Sequence, residues 1–128
     1  MSIKLMVVDD SKFVYNEMEF FLEGTEFELV RYCKSGEEAI EAYKELKPDL
    51  ITMDIILPRM DGFECAKEIL SLNPNAKIIF ISSLAYDDTI EEAKEMGCND
   101  FLFKPIEQDS LLEVLTKASQ KADGGEEA

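Results

Sequence analysis

Histidine is absent from this 128-residue chain. That excludes histidine general acid/base catalysis, Ser-His and Cys-His nucleophile pairs, histidine-containing zinc sites and a phosphohistidine carried by the chain itself. Any chemistry must run on carboxylates, hydroxyls and amines. Long uncharged apolar runs are also missing, as is a basic amino terminus leading into a signal-type segment, so neither a membrane span nor secretion is expected and the sequence reads as cytoplasmic. Basic residues are scarce: 13 Lys and Arg stand against 28 Asp and Glu, a net charge of -15. Such a field repels nucleic-acid backbone, and direct DNA or RNA binding is not expected. The 3 cysteines, Cys33, Cys65 and Cys98, are odd in number and too widely spaced for a disulfide framework or a zinc pattern, and read as reduced structural thiols.

What is present is a globular mixture, 46% apolar and 32% charged, at a length that suits one domain with a core of its own. Apolar runs at Ile3 to Val8, Phe27 to Cys33, Leu50 to Met53, Lys77 to Ile81 and Asp100 to Phe103 read as five strands. Helical faces lie between and after them: Val14, Met18, Phe21 and Leu22; Ala39, Ile40 and Tyr43; Phe63, Ala66, Ile69 and Leu70; Ile90, Ala93 and Met96; Leu111, Leu112 and Leu115. Gly24, Ser35-Gly36, Pro48, Asp61-Gly62, Pro74 and Gly97 punctuate the boundaries. Strict strand and helix alternation with near-continuous apolar strands predicts an α/β fold, a doubly wound parallel five-stranded sheet with helices on both faces. Residues 1–120 are expected to form the domain, and the polar acidic segment 121–128 to be a disordered tail.

In such sheets ligands bind beyond the carboxyl ends of the strands. Read in turn, those ends carry Asp9 and Asp10, then Asp54, then Ser82 and Ser83, then Lys104. Carboxylates with waters and a backbone carbonyl form a hard, oxygen-only donor set that suits Mg²⁺ or Mn²⁺ and offers no soft ligand for zinc or copper. A carboxylate is also a nucleophile toward phosphorus when the charge on the transferred oxygens is neutralised, here by the metal, Lys104 and the Ser82 hydroxyl. Asp9 and Asp10 are paired as metal ligands, and Asp54, alone in its segment, is the candidate nucleophile. Singly, each residue has a plainer reading: a helix cap for the aspartate pair, a loop carboxylate, a polar strand end, a solvated lysine. Their convergence at one sheet edge is what favours a site.

The segments "VVDDS", "MDIILPRMDG", "IIFISS" and "GCNDFLFKP", in this order and spacing, resemble the CheY-like receiver domain of two-component response regulators, over Ile3 to about Ala118. The resemblance implies a flavodoxin-like fold with strand order 2-1-3-4-5. It implies phosphorylation of Asp54 from the phosphohistidine of a sensor histidine kinase or a histidine phosphotransfer protein. Mg²⁺ would be bound by Asp10, Asp54 and the backbone carbonyl of Ile56, with Asp9 assisting. Ser82, with Ser83 next in line, takes the place of the switch hydroxyl, Phe101 that of the switch aromatic, and Lys104-Pro105 that of a cis peptide. Turnover of an external substrate is not implied.

This chain departs from many relatives at several positions. Ile56 and Leu84 stand where rapidly dephosphorylating relatives carry polar groups, so a long-lived aspartyl phosphate is expected. Ile106 follows Lys-Pro where phenylalanine is common. The fifth helix lacks the arginine usual in regulators that dimerise through their fourth and fifth helices, so a monomer or a weak phosphorylation-dependent dimer is expected. Output is expected through the face of the fourth helix, fifth strand and fifth helix, including Tyr86, Asp87, Glu91, Glu95 and Glu107, toward a protein target that the sequence does not name. The competing readings are a haloacid-dehalogenase-type phosphatase, a flavodoxin-like cofactor binder, a non-phosphorylated adaptor and a receiver belonging to a longer regulator. An adjacent rather than alternating aspartate pair argues against the first. The lack of a phosphate-binding loop after the first strand argues against the second, and the intact set of five site residues against the third.

Overall fold

A computed structural model describes residues 2–83, 87–98 and 100–120. Its elements are β1 (Ile3–Val8), α1 (Lys12–Leu22), β2 (Phe27–Cys33), α2 (Gly36–Leu46), β3 (Leu50–Asp54), α3 (Gly62–Leu72), β4 (Ile78–Ser82), α4 (Asp87–Glu95), β5 (Phe101–Phe103) and α5 (Gln108–Ser119). The five strands form one sheet in the order β2-β1-β3-β4-β5, and each observed pairing is parallel. The expected tail 121–128 and the residues Leu84 and Tyr86 lie outside the described residues, as does the side chain of Asp87.

β3 and β4 are buried along their whole length, because helices cover both faces. Side chains that alternate along β1 divide the core into two layers. Met6 and Val8 join Ala39, Tyr43, Phe63, Ala66, Ile69 and Ala93 from α2, α3 and α4. Leu5 and Val7 join Val14, Met18, Leu22, Leu111 and Leu115 from α1 and α5. Ile106 is buried in this second layer. Fully burying one such aliphatic side chain is worth about 1.5–3 kcal/mol, so each layer holds its helices firmly against the sheet.

Local chemistry explains the boundaries. Ser35 caps α2 by accepting the Glu38 amide, and Asp61 and Glu64 form a reciprocal capping box at the start of α3. Gly24 and Gly97 hold left-handed backbone after α1 and α4. Lys47 takes the same conformation at the end of α2, and Pro48 after it prevents helix continuation. β3 runs one residue further than the apolar pattern indicates, to Asp54, and the Ile55 amide still donates to the Ile81 carbonyl at 3.3 Å. β4 is shifted by one residue to Ile78–Ser82, and β5 begins at Phe101.

Between Leu5 and Met6 the β1–β2 register slips by one: Leu5 pairs with Leu29 and Met6 with Arg31, leaving Val30 as an extra residue in the edge strand. Such a bulge disrupts the side-to-side alternation. Phe27, Leu29 and Tyr32 therefore share the α1 face, and Cys33 turns to the α2 face. The three thiols are buried, and burial pushes Cys33 up to about 11 and Cys65 up to about 12, which leaves both protonated and unreactive at neutral pH.

Candidate functional site

Parallel pairing carries the ends of β1, β3, β4 and β5 to one edge of the sheet. Asp9 follows β1, and its amide donates to the Cys33 carbonyl at 3.0 Å, which extends the ladder into the site. Asp54 is the last residue of β3 and Ser82 the last of β4. Lys104 follows β5, and its amide donates to the Ser82 carbonyl at 2.8 Å. Lys104-Pro105 is a cis peptide.

The side chains converge. Lys104 Nζ lies 3.1 Å from Asp9 Oδ2 and 3.2 Å from Asp54 Oδ2. Asp9 Oδ1 accepts the Ser11 amide at 2.9 Å, and Asp54 Oδ1 accepts the Ile56 amide at 3.3 Å. Asp9 and Asp54 are buried, whereas Asp10 is exposed. One oxygen from each of the three aspartates lies within 4.8 Å of the others. Neither Asp9 nor Asp10 caps a helix: the cap residue of α1 is Ser11, and its first turn carries no acidic residue.

Burial, followed by the Asp9 charge, pushes the Asp54 carboxyl up to about 6, against the opposing pull of Lys104 and the Ile56 amide. For Lys104, burial works against the charge, but Asp54 and Asp9 outweigh it and hold the ammonium above its usual range. Three carboxylates against one ammonium leave two negative charges in a small volume. Oxygen donors on a common Mg²⁺ sit roughly 3–4 Å apart, given metal–oxygen distances of about 2.0–2.1 Å. The 4.8 Å grouping of the three carboxylates lies just outside that range, and with its oxygen-only donors the residues present fit a divalent cation.

Ser82 is fully buried at the strand end and Ser83 beyond it is exposed. Phe101 is half-buried, its ring 6.4 Å from Phe80 and 5.0 Å from Phe103. The Ile56 side chain is exposed. Glu91, Glu95 and Glu107 are exposed as expected.

A further residue reaches the site through the backbone. A Cβ on Gly62 would stand 2.2 Å from the Asp54 carbonyl oxygen and 2.8 Å from Ile55 Cα, and the Gly62 amide donates to the Ile55 carbonyl at 2.7 Å. Only glycine permits this approach of α3 to the end of β3. In the sequence, Asp61-Gly62 signals no more than a turn and a helix start.

The family model described as response regulator receiver domain matches residues 5–116. The chain belongs to this family. CheY chemotaxis proteins are similar over nearly the whole receiver: that of Thermotoga maritima is 38% identical over 120 residues, 94% of this chain and 100% of the relative. That of Listeria monocytogenes is 36% identical over 118 residues, 92% of this chain and 99% of the relative. Among solved structures, a chain of the CheX-CheY-BeF3-Mg²⁺ complex of Borrelia burgdorferi superposes with a TM-score of 0.88 at 28% identity, covering 93% of this chain and 90% of that one. Receivers are signalling modules rather than enzymes that turn over an external substrate. No helix of this receiver is long and apolar enough to cross a membrane among the described residues.

Proposed function

We propose that this receiver accepts a phosphoryl group on Asp54 from the phosphohistidine of a sensor histidine kinase or a histidine phosphotransfer protein. Asp9, Asp10, Asp54 and the Ile56 carbonyl hold Mg²⁺, or Mn²⁺ in its place. The observation that carries this reading is the buried Asp54 carboxylate, set 3.2 Å from Lys104 within a cluster of three aspartates. An Asp54 oxygen attacks phosphorus, the P–N bond of the donor breaks, and the departing imidazole takes up a proton. When bound, the metal neutralises charge on the transferred oxygens. Lys104 shifts from the aspartates toward the phosphoryl group and contributes the remaining positive charge.

Ser82 then donates its hydroxyl to the phosphoryl group, and Phe101 turns inward toward Phe80 as the strand end moves. This changes the surface of α4, β5 and α5, where a protein target docks; the surface includes exposed Glu91, Glu95 and Glu107. Exposed Ile56 gives attacking water no polar group for orientation, so the aspartyl phosphate persists. A protein donor needs surface beside the pocket. Phe13 and Phe20, seven residues apart on one face of α1, the helix that leads away from the pocket, are 69% and 73% exposed and supply an apolar contact along it. The domain comprises residues 1–120 and works in the cytoplasm as a monomer or a weak phosphorylation-dependent dimer.

Intact mass after incubation with acetyl phosphate and Mg²⁺ tests this reading. The expected result is one added phosphoryl group that is absent in Asp54→Asn and in the chelated sample. No added mass in the native chain would overturn the proposal and leave a receiver fold used only for binding.

A further inference from the structure

Arg59 has a backbone φ of +66°, in the left-handed region that favours glycine. The Met60 amide donates to the Pro58 carbonyl at 2.7 Å, so Arg59 is the central residue of a three-residue turn of the rare, strained hand. Among the described residues Lys47 is the other non-glycine with positive φ, and there the conformation closes a helix. Arg59 closes none. Met60 packs against the core layer of α2 and α3, whereas the Arg59 side chain is left 69% exposed. Its described contact does not account for an arginine. The guanidinium lies 3.5 Å from Glu37 on the first turn of α2, and exposed pairs of this kind add little stability. Glycine makes the same turn without strain. Strain held in an ordered loop points to a use outside the fold.

The loop that carries Arg59 begins and ends on Asp54. The Ile56 amide donates to Asp54 Oδ1, and Gly62 abuts the Asp54 carbonyl. Arg59 is three residues from Gly62, so their Cα atoms are at most about 11 Å apart. A protein donor that docks over Asp54 with an interface of standard size covers about 800 Å² of this chain, a patch about 16 Å in radius. Arg59 falls within it.

We infer that Arg59 is a specificity-determining contact for the protein donor: its guanidinium leaves Glu37 and forms a two-point pair with a carboxylate beside the donor's phosphohistidine. The inference rests on the phosphotransfer reading proposed above. A planar guanidinium matches a carboxylate in a way that a lysine ammonium does not. At a net charge of -15 the chain otherwise repels acidic surfaces, so this contact selects a donor by where its carboxylate stands.

Arg59→Gly removes the guanidinium and relieves the turn. Native chain and variant are to be labelled with Mg²⁺ present by acetyl phosphate and by two synthetic phosphohistidine peptides, one flanked by glutamates and one by lysines, and followed by intact mass and thermal unfolding. In about 1 M salt the Debye length is about 3 Å, so long-range repulsion is screened and direct pairing remains. The expected result is labelling of the variant about tenfold more slowly by the glutamate peptide, at the native rate by the lysine peptide and acetyl phosphate, with an unchanged or higher Tm. Native-rate labelling of the variant by the glutamate peptide, or none in either protein, overturns the inference and leaves phosphotransfer standing. Equal slowing with all three donors also overturns it, because the effect then lies in the pocket. A Tm lowered by several degrees overturns it as well, because the arginine is then structural. Failure of acetyl phosphate to label the native chain overturns both readings.

Discussion

Lys104 Nζ stands 3.2 Å from Asp54 Oδ2, reaching past the end of β4 from the strand beyond it. The same ammonium lies 3.1 Å from Asp9 Oδ2, so one cation compensates two buried carboxylates. Breaking a buried pair by removing one partner costs about 3–5 kcal/mol, and the partial exposure of Lys104 lowers this to about 2 kcal/mol. Lys104→Met is expected to lose that much stability in urea unfolding without metal at pH 7. Millimolar Mg²⁺ is expected to narrow the gap, since a cation that binds only the folded state restores the compensation.

Asp54→Asn has the opposite expected sign. A carboxyl raised from 3.8 to about 6 on folding makes the folded state bind more protons between those values. Stability therefore falls as pH rises from about 4 to about 6 and stays reduced above. The variant escapes this loss and is expected to be about 2–3 kcal/mol more stable than native at pH 8 in chelator, a gap that closes toward pH 4. Urea melts at the two pH values check it.

The same proton competes with metal. Below about pH 6 the apparent Mn²⁺ affinity is expected to fall about tenfold per pH unit, as Asp54 must lose its proton to serve as a ligand. Titrations at pH 5, 6 and 7 measure the slope; a flat profile would remove Asp54 from the ligand set.

Gly62→Ala places a methyl group against the Asp54 carbonyl. Overpacking of this kind costs about 1–3 kcal/mol. The displacement falls on the backbone that carries the nucleophile, so labelling by acetyl phosphate is expected to slow by more than the loss in stability accounts for. Chemical denaturation and labelling rates on one preparation separate the two effects.

Phe13→Ser with Phe20→Ser is expected to leave labelling by acetyl phosphate unchanged and to slow labelling by a phosphorylated protein donor by about tenfold or more. Two exposed aromatic anchors carry that much interface energy. Equal slowing with both donors would place the effect in the pocket instead.

The layer structure was readable because buried strands and one-sided helices leave different apolar periods. Val14, Met18 and Leu22 fall inside for that reason, and Phe13 and Phe20 are left outside. The site's principal side chains were readable because parallel topology determines which strand ends meet. The apolar pattern ends β3 one residue short because Asp54 is polar, whereas pairing with β4 continues through it. Gly62 acts through space between α3 and β3, which neighbouring sequence does not register. The face that Tyr32 takes depends on a slip in register, and no alternation within "FELVRYC" shows it.

That slip bears on how the chain tolerates changes in its length. Val30 is surplus to the pairing of β2 with β1: the residues on either side already meet consecutive partners, Leu5 and Met6. Loss of Val30 would turn the edge strand into a regular one and leave Arg31, Tyr32 and Cys33 opposite the same neighbours. A deletion in β1 has no such slack, because every later residue, including Asp9, would arrive on the wrong side of the sheet. Insertions and deletions should therefore accumulate at Val30 among homologous chains and be excluded from Ile3–Val8.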